Sequence, residues 1–251
     1  LIATITGGKY QILFTRAADI PEFVEIGAAD AGITGRDLVE ETGCKVDKLL
    51  DLKYGQCRLV VAAPEHSKIS SMSTIPAGAR VATAFPNLTR RHFEKAKKKV
   101  VVVPVSGACE ITPSIGVADL IVDLTQTGST LKQNHLVELD IVLESWSIFI
   151  AGSTLKGEAR QQAEDLAHAF DSVENALGKR YLMANVPEAK VAQIAKLIPG
   201  LKSPTVMSLA ERGLVAVHAV VDEGDINALL PRLKKEGATG ILILPIERMV
   251  P

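Results

Sequence analysis

The chain has 251 residues, 47% of them hydrophobic and 23% charged, a globular composition that excludes a disordered polymer. Twenty-eight basic residues against 29 acidic leave a formal charge of −1, so bulk electrostatics supplies no attraction to nucleic acid or to an anionic membrane. Aromatics at 4% leave few stacking platforms for a single strand.

At roughly 150 residues per domain, the length implies one or two domains. Cysteines at 44, 57 and 109 stand far apart, which fits a reducing compartment and a cytoplasmic location, not a disulfide framework or a zinc site. Apolar runs such as Val100–Val103 and Ile241–Leu244 are too short to cross a bilayer. The opening Leu1-Ile2-Ala3-Thr4 carries no initiator Met and no signal-peptide core. It reads like the middle of a domain, and a preceding segment is expected.

In chain order, short β-rich runs alternate with helical windows, the grammar of an α/β protein. Ile2–Thr6 and Tyr10–Phe14 flank Gly7-Gly8, a hairpin signal. Ile20–Ile26 reads as a helix with Asp19 as N-cap and Pro21 in its first turn. A strand at Ala31–Thr34 and a helix from Gly35 to Glu41 follow. Further strands are predicted at 59–63, 80–85, 100–105 and 119–123, with a helix over Pro86–Lys99 whose terminal lysines suit the macrodipole or a phosphate. Ser-Trp146-Ser-Ile-Phe-Ile looks like core or lobe-crossing strand.

A helix over about 158–177 would connect this part to a tail of different grammar. Tyr181–Val186, Glu188–Leu197, Thr205–Leu209, Val215–Val221, Gly224–Glu236 and Gly240–Pro245 read β, α, β, β, α, β. That order is the ferredoxin-like unit. Pro199-Gly200 and Ser203-Pro204 punctuate it as turns.

The informative stretch runs from Glu110 to Leu131. Ala118–Asp123 is an apolar strand ending in a carboxylate, followed by a loop with Gly128 at its turn and a helical pattern from Thr130. A helix N-terminus after such a loop offers free N–H groups suited to a phosphate, and Thr127, Ser129 and Thr130 add uncharged hydroxyls. Asp123 beside that phosphate would need hydroxyls or a divalent cation. A sugar phosphate with a vicinal diol meets both requirements. The bland alternative is a strand–turn–helix corner with ordinary Ser/Thr capping.

Glu110 through Leu131 resembles, position for position, the signature of the ATP phosphoribosyltransferases, which open histidine biosynthesis. Gly32-Ile-Thr-Gly-Arg-Asp-Leu38, Ala82-Thr-Ala-Phe-Pro-Asn-Leu88, Tyr181-Leu-Met183 and Ser203-Pro-Thr205 resemble landmarks of the same family in family order. The resemblance implies a two-lobed, periplasmic-binding-protein-like catalytic part and, with the βαββαβ tail, the long form with an ACT-like regulatory domain. Residues 1–57 and 151–178 would form the first lobe, 58–150 the second, and 179–251 the regulatory domain.

The reaction so implied moves the ribosyl phosphate of phosphoribosyl pyrophosphate (PRPP) to N1 of ATP with release of pyrophosphate, and it requires Mg2+. By resemblance, Gln126, Thr127, Gly128, Ser129, Thr130 and Leu131 would cradle the 5-phosphate, Asp123 the ribose hydroxyls, and Glu110 the loop or the metal–pyrophosphate end. Glu110 and Asp123 are the candidate metal ligands. Arg16, Asp37 and Leu38 would serve ATP, although Arg16 could equally pair with Asp19, and Asp37 could be a first-turn carboxylate. Arg90 and Arg91 suit a solvated face. No general base is assigned, because the adenine nitrogen attacks the anomeric carbon directly.

In the tail, the resemblance places feedback-inhibiting histidine at Asn185, Thr205, Val220 and Gly240, with Asn185 where an aspartate is expected. A plain oligomerisation module is the alternative there. The partners implied are ATP, PRPP, histidine and copies of the same chain as dimer or hexamer, with no nucleic acid and no membrane. Cys109 reads as a small packing residue, and the histidines at 66, 92, 135, 168 and 218 lack metal-ligand spacing. The family's usual N-terminal Lys-Gly-Arg loop has no match, which keeps an inactive relative open. The rival from another class is a non-catalytic two-lobed small-molecule sensor.

Overall fold

The computed structural model of the protein describes residues 2–4, 10–198 and 203–250. It divides into two compact units, Leu1–Ala167 and His168–Pro251. The first begins with strands β1 (Ile2–Thr4) and β2 (Gln11–Leu13), paired antiparallel as the hairpin signal predicts; Gly7 and Gly8 lie outside the described residues.

Helix α1 (Ile20–Glu25), strand β3 (Ala31–Gly35), helix α2 (Arg36–Thr42) and strand β4 (Val46–Asp51) follow. Asp19 precedes α1 in an α-region backbone and makes no side-chain cap bond, so the expected cap is one of position only. The chain then crosses to a larger sheet. Its parts are β5 (Cys57–Pro64), β6 (Ala79–Thr83), α3 (Pro86–Lys95), β7 (Val100–Pro104), β8 (Leu120–Thr125), α4 (Ser129–Gln133) and β9 (Leu136–Ser145). Trp146 carries the chain back to β10 (Ser147–Gly152), which pairs between β3 and β4. Two lobes thus result, a small sheet in the order β3-β10-β4 and a large one in the order β7-β6-β8-β5-β9, joined by two crossing segments. The two-lobed expectation holds, with Trp146 as the crossing residue.

The large sheet is held by burial on both faces. Leu59, Val61, Leu120 and Val122 point to one face and pack with Phe85, Leu88 and Phe93 of the α3 region. Val60, Ala62, Ala82 and Ile121 point to the other and pack with Cys109, Leu131 and Leu136. Strand alternation makes this division, and a strand buried on both faces reads as a continuous apolar run. Each fully buried Val, Leu or Ile contributes about 2 kcal/mol.

Strands β4 and β9 escape the periodicity reading. Both lie at sheet edges, and Asp47, Lys48 and Asp51 in β4 and Glu138, Asp140 and Glu144 in β9 interrupt the apolar pattern. The predicted helix over Pro86–Lys99 stops at Lys95, because Lys97 turns left-handed at φ 55°. The lysine cluster therefore lies beyond the helix, and Lys98 Nζ donates to the Ser73 carbonyl at 2.7 Å.

Helix α5 (Gly157–Ala176) leads into the second unit: β11 (Lys179–Pro187), α6 (Val191–Leu197), β12 (Thr205–Ser208), β13 (Leu214–Asp222), α7 (Ile226–Lys235) and β14 (Thr239–Pro245). Both α6 and α7 open on a 3-10 turn, at 188–190 and 223–225, where continuous helices are predicted. The antiparallel order β12-β13-β11-β14 is that of the ferredoxin-like unit. Leu182, Ala184 and Val186 alternate inward against Val215, Val217, Ile194, Leu229 and Leu233. Pro199 and Gly200 lie outside the described residues.

A non-glycine residue in the left-handed region costs about 1 kcal/mol. Lys97 is exposed and ends α3 in that state, so Lys97→Gly should raise stability by up to about 1 kcal/mol, read as a higher melting temperature.

Candidate active site

Asp123 lies inside β8, which runs on to Thr125, rather than at its end as the sequence implies. It faces Val60 across the ladder and shares the face that holds Cys109 and Leu131. Its Oδ1 accepts the N–H of Leu124 at 2.8 Å. Half-buried, its carboxyl rises above the ordinary carboxylate value. Desolvation is the main cause, opposed by the Leu124 N–H and reinforced by the charge of Glu110.

Glu110 sits in a 3-10 turn, Cys109–Ile111, entered through Ala108 at φ 50°. Cys109 anchors that turn: its thiol, 2% exposed, donates to the Ala82 carbonyl at 3.1 Å and lies 3.9 Å from that of Val122. Burial pushes this thiol up to about 12, with Asp123 and then Glu110 adding their charge. Its expected packing role holds, and the thiol is no nucleophile. Cys109 thus ties the Glu110 turn to the strand bearing Asp123, and both carboxylates act on it.

Beyond β8, Thr125 Oγ1 accepts the Gly128 N–H at 2.9 Å and closes the loop. Gly128 is left-handed at φ 77° and stands at the N-cap of α4, which begins at Ser129, one residue before the predicted start. Thr127 Oγ1 donates to Ser129 Oγ at 3.0 Å. Gln126, Thr127, Ser129 and Thr130 are exposed, while Leu131 is 5% exposed and packs its side chain in the core, away from any ligand of the loop. The first N–H groups of α4 lack intrahelical acceptors and suit an anion. Acidic Glu110 and Asp123 and an uncharged donor loop, with no lysine or arginine between Glu110 and Leu131, make up the candidate site.

The nucleotide candidates stand apart from this group. Arg16 is exposed and makes no ion pair among the described residues. The expected partner Asp19 meets it only through the backbone, its N–H donating to the Arg16 carbonyl at 3.0 Å. Asp37 is 5% exposed; its N–H donates to Ser145 Oγ at 3.0 Å and its Oδ1 accepts the Ser145 hydroxyl at 2.5 Å. Leu38 packs on the large-sheet core. Arg90 reaches Asn87 Oδ1 at 3.1 Å, and Arg91 donates to the Glu40 carbonyl.

In the second unit the four effector candidates form two pairs. A side chain at Gly240 would meet Asn185 Nδ2 at 3.3 Å. Thr205 faces His218 across the ladder, and Val220, two residues on, faces Tyr181. Tyr181 precedes Asn185 by four strand positions, about 13 Å. Among the described residues no group of three His, Cys, Asp or Glu could hold a metal ion, and no helix is long and apolar enough to cross a membrane. Ser145 and Glu41, which bond to α2 and α3, carry no local sequence signal, since their contacts lie 108 and 46 residues away.

The ATP phosphoribosyltransferase family model matches residues 16–172, and that of the HisG C-terminal domain matches 176–248. An ATP phosphoribosyltransferase of Methanosarcina mazei is 46% identical over all of this chain and 88% of its own. The one from Methanocaldococcus jannaschii is 48% identical over the same shares. The ATP phosphoribosyl transferase (HisG:HisZ) complex of Thermotoga maritima superposes with a TM-score of 0.58 at 29% identity, covering 64% of this chain and 77% of that one. The chain belongs to the ATP phosphoribosyltransferase family, enzymes of the first step of histidine biosynthesis.

Because the Asp123 pKa is raised in the fold, its contribution to stability is present below the unfolded value and lost as pH rises through the folded one. Asp123→Asn keeps the Leu124 hydrogen bond without the buried charge. The variant should melt higher than the native chain at pH 7, and the gap should close towards pH 4 in paired thermal scans.

Proposed function

We propose that the Glu110–Asp123 pair and the 126–131 loop bind PRPP in the large lobe, and that ATP approaches from the small lobe with its N1 directed at the anomeric carbon. One observation carries this reading: two half-buried carboxylates, Glu110 and Asp123, stand beside a loop whose donors are all uncharged. A phosphate fits the loop and a diol fits the acids, and PRPP offers both.

In this reading the main-chain N–H groups of Gly128–Leu131 and the hydroxyls of Thr127, Ser129 and Thr130 hold the 5-phosphate. Asp123 accepts hydrogen bonds from the ribose hydroxyls, and Glu110 orients the pyrophosphate end. Two carboxylates without a third ligand fit a magnesium ion that reaches the site on pyrophosphate, as Mg2+ usually keeps substrate oxygens and waters in its shell. Bound there by Glu110 and Asp123, Mg2+ would supply charge neutralisation for the leaving group. The attacking nitrogen carries its own lone pair, so the protein contributes positioning and electrostatic stabilisation, without a general base. Arg16, unpaired among the described residues, receives the ATP phosphates. Asp37 and Leu38 serve the nucleotide lobe by fixing α2.

The second unit is read as the regulatory domain, with histidine taken at Asn185–Gly240 and Thr205–Val220. Since these pairs are separated in one chain, a complete effector site calls for a homo-oligomer, and a dimer–hexamer exchange is the proposed means of control. The expected setting is the cytoplasm.

Pyrophosphate release from PRPP should require ATP and Mg2+ and should fall when histidine is added. Thr127→Val combined with Ser129→Ala should raise KM for PRPP about tenfold or more, the loss expected of hydrogen bonds to a charged group, with KM for ATP unchanged. Release that histidine does not suppress would remove the effector site and keep the enzyme. A chain that neither binds PRPP nor releases pyrophosphate would overturn the reading of residues 110–131.

A further inference from the structure

Helix α2 belongs to the small lobe by its connections to β3 and β4, yet it is built into both lobes. Leu38 packs against the large-sheet core of Leu59, Val61 and Phe93, whereas Val39 packs against the small-sheet core of Val24, Ile148 and Ile150. Its first turn follows Gly35, which has no side chain to cap it, and the cap comes from Ser145 at the end of β9 in the large sheet. Arg36 reinforces this end: its N–H donates to the Trp146 carbonyl at 3.0 Å, and its guanidinium lies 4.9 Å from the Trp146 ring centroid.

The other end of α2 returns the favour. Helix α3 begins after Phe85, which offers no side-chain acceptor for the orphan N–H groups of its first turn. Glu41 supplies both: Oε1 accepts the N–H of Asn87 at 2.8 Å, and Oε2 accepts that of Leu88 at 2.8 Å. Asn87 Nδ2 donates back to the Glu41 carbonyl at 3.0 Å, and Arg91 donates to the carbonyl of Glu40. A carboxylate taking two N–H groups at a helix N-terminus is charge-assisted and favoured by the macrodipole. It is also half-buried, and so less screened by salt than a surface pair.

The segment bearing Arg16 is fixed to the small lobe, because Thr34 Oγ1 of β3 donates to the Ala17 carbonyl at 2.8 Å. The 126–131 loop is fixed to the large lobe by Thr125 and Leu131. We infer that Glu41 is a positioning residue for the transfer: its clasp on α3 sets the angle between the two lobes, and so the approach of the attacking nitrogen to the anomeric carbon. The inference rests on the division of ATP and PRPP between the lobes proposed above. It separates Glu41 from residues that bind either substrate, since a clasp between lobes governs the reaction of both and the affinity of neither.

The test compares native enzyme with Glu41→Ala and Glu41→Gln at a temperature where all are folded. Titration calorimetry with PRPP alone and with ATP alone, each with Mg2+, should give dissociation constants within twofold of native. The kcat of Glu41→Ala should fall about tenfold, the scale on which small misplacements act. Glu41→Gln, which keeps one neutral acceptor, should fall less. Hydrogen exchange at the Asn87 and Leu88 amides should speed up in both variants. An unchanged kcat in Glu41→Ala would overturn the inference, as would weakening of both dissociation constants in step with melting temperature. Should Glu41→Ala not fold, the same criteria apply to Glu41→Gln. Unaltered exchange at both amides would sink the clasp whatever the kinetics. Native enzyme that binds neither substrate would count against the substrate sites instead, with the amide exchange still deciding whether Glu41 ties the lobes.

Discussion

The candidate site depends on a partly desolvated carboxylate held in a buried strand. Leu120, Ile121 and Val122 are fully inaccessible, and the ladders to β5 and β6 leave β8 no freedom to slip, since a one-residue shift would expose one whole apolar set. Asp123 is therefore carried into an environment that raises its pKa. Such a group destabilises the empty protein at neutral pH and becomes favourable once ligand hydroxyls or a cation replace the lost water. Cys109 adds a second constraint by tying the Glu110 turn to β6 and β8 through a thiol that stays protonated. Two acidic residues are thus held near one another by packing, and the charge of Glu110 adds to the rise at Asp123. Perturbed groups of this kind mark sites where structure is maintained for chemistry.

The donor side of the site has the opposite character. Residues 126–131 provide N–H groups and hydroxyls and no formal charge. A lysine there would pair with Glu110 or Asp123 and neutralise the acids before substrate arrives. Main-chain dipoles cannot collapse onto a carboxylate in that way, because the turn at Gly128 and the Thr125 bond fix their direction. Such preorganised dipoles suit the 5-phosphate proposed to sit there, which they can hold without neutralising the neighbouring acids.

How much of this was legible in the sequence follows from where the information resides. Strands β5, β6, β7 and β8 announce themselves: the central β5 and β8 are buried on both faces and leave apolar runs, and β7, although at an edge, is a run of four valines. Edge strands β4 and β9 do not, because charged residues exposed at an edge erase the period. The 110–131 segment was readable because carboxylate, glycine turn and hydroxyls are contiguous, though the period could not tell that Leu131 faces the core or that β8 runs past Asp123. Asp37 and Leu38 show the limit. As first-turn residues of a helix they look available, and only the fold reveals Ser145, 108 residues away, bonded to Asp37. The effector candidates show the same limit, since strand membership does not say at which level of the ladder each residue falls.

The helix caps exchanged between the lobes follow one rule. Helices α2 and α3 both start after residues that cannot cap them, Gly35 and Phe85, and each takes its cap from the opposite lobe. A cap supplied locally would stabilise each helix without regard to lobe orientation. A cap supplied in trans makes the helix and the interlobe geometry depend on one another, so the orientation is enforced by backbone donors that would otherwise be left unsatisfied. For the direct transfer proposed above, orientation is the main thing the protein has to supply. The short α2, with one apolar side chain in each core and polar contacts to the large lobe at both ends, is where the fold supplies it.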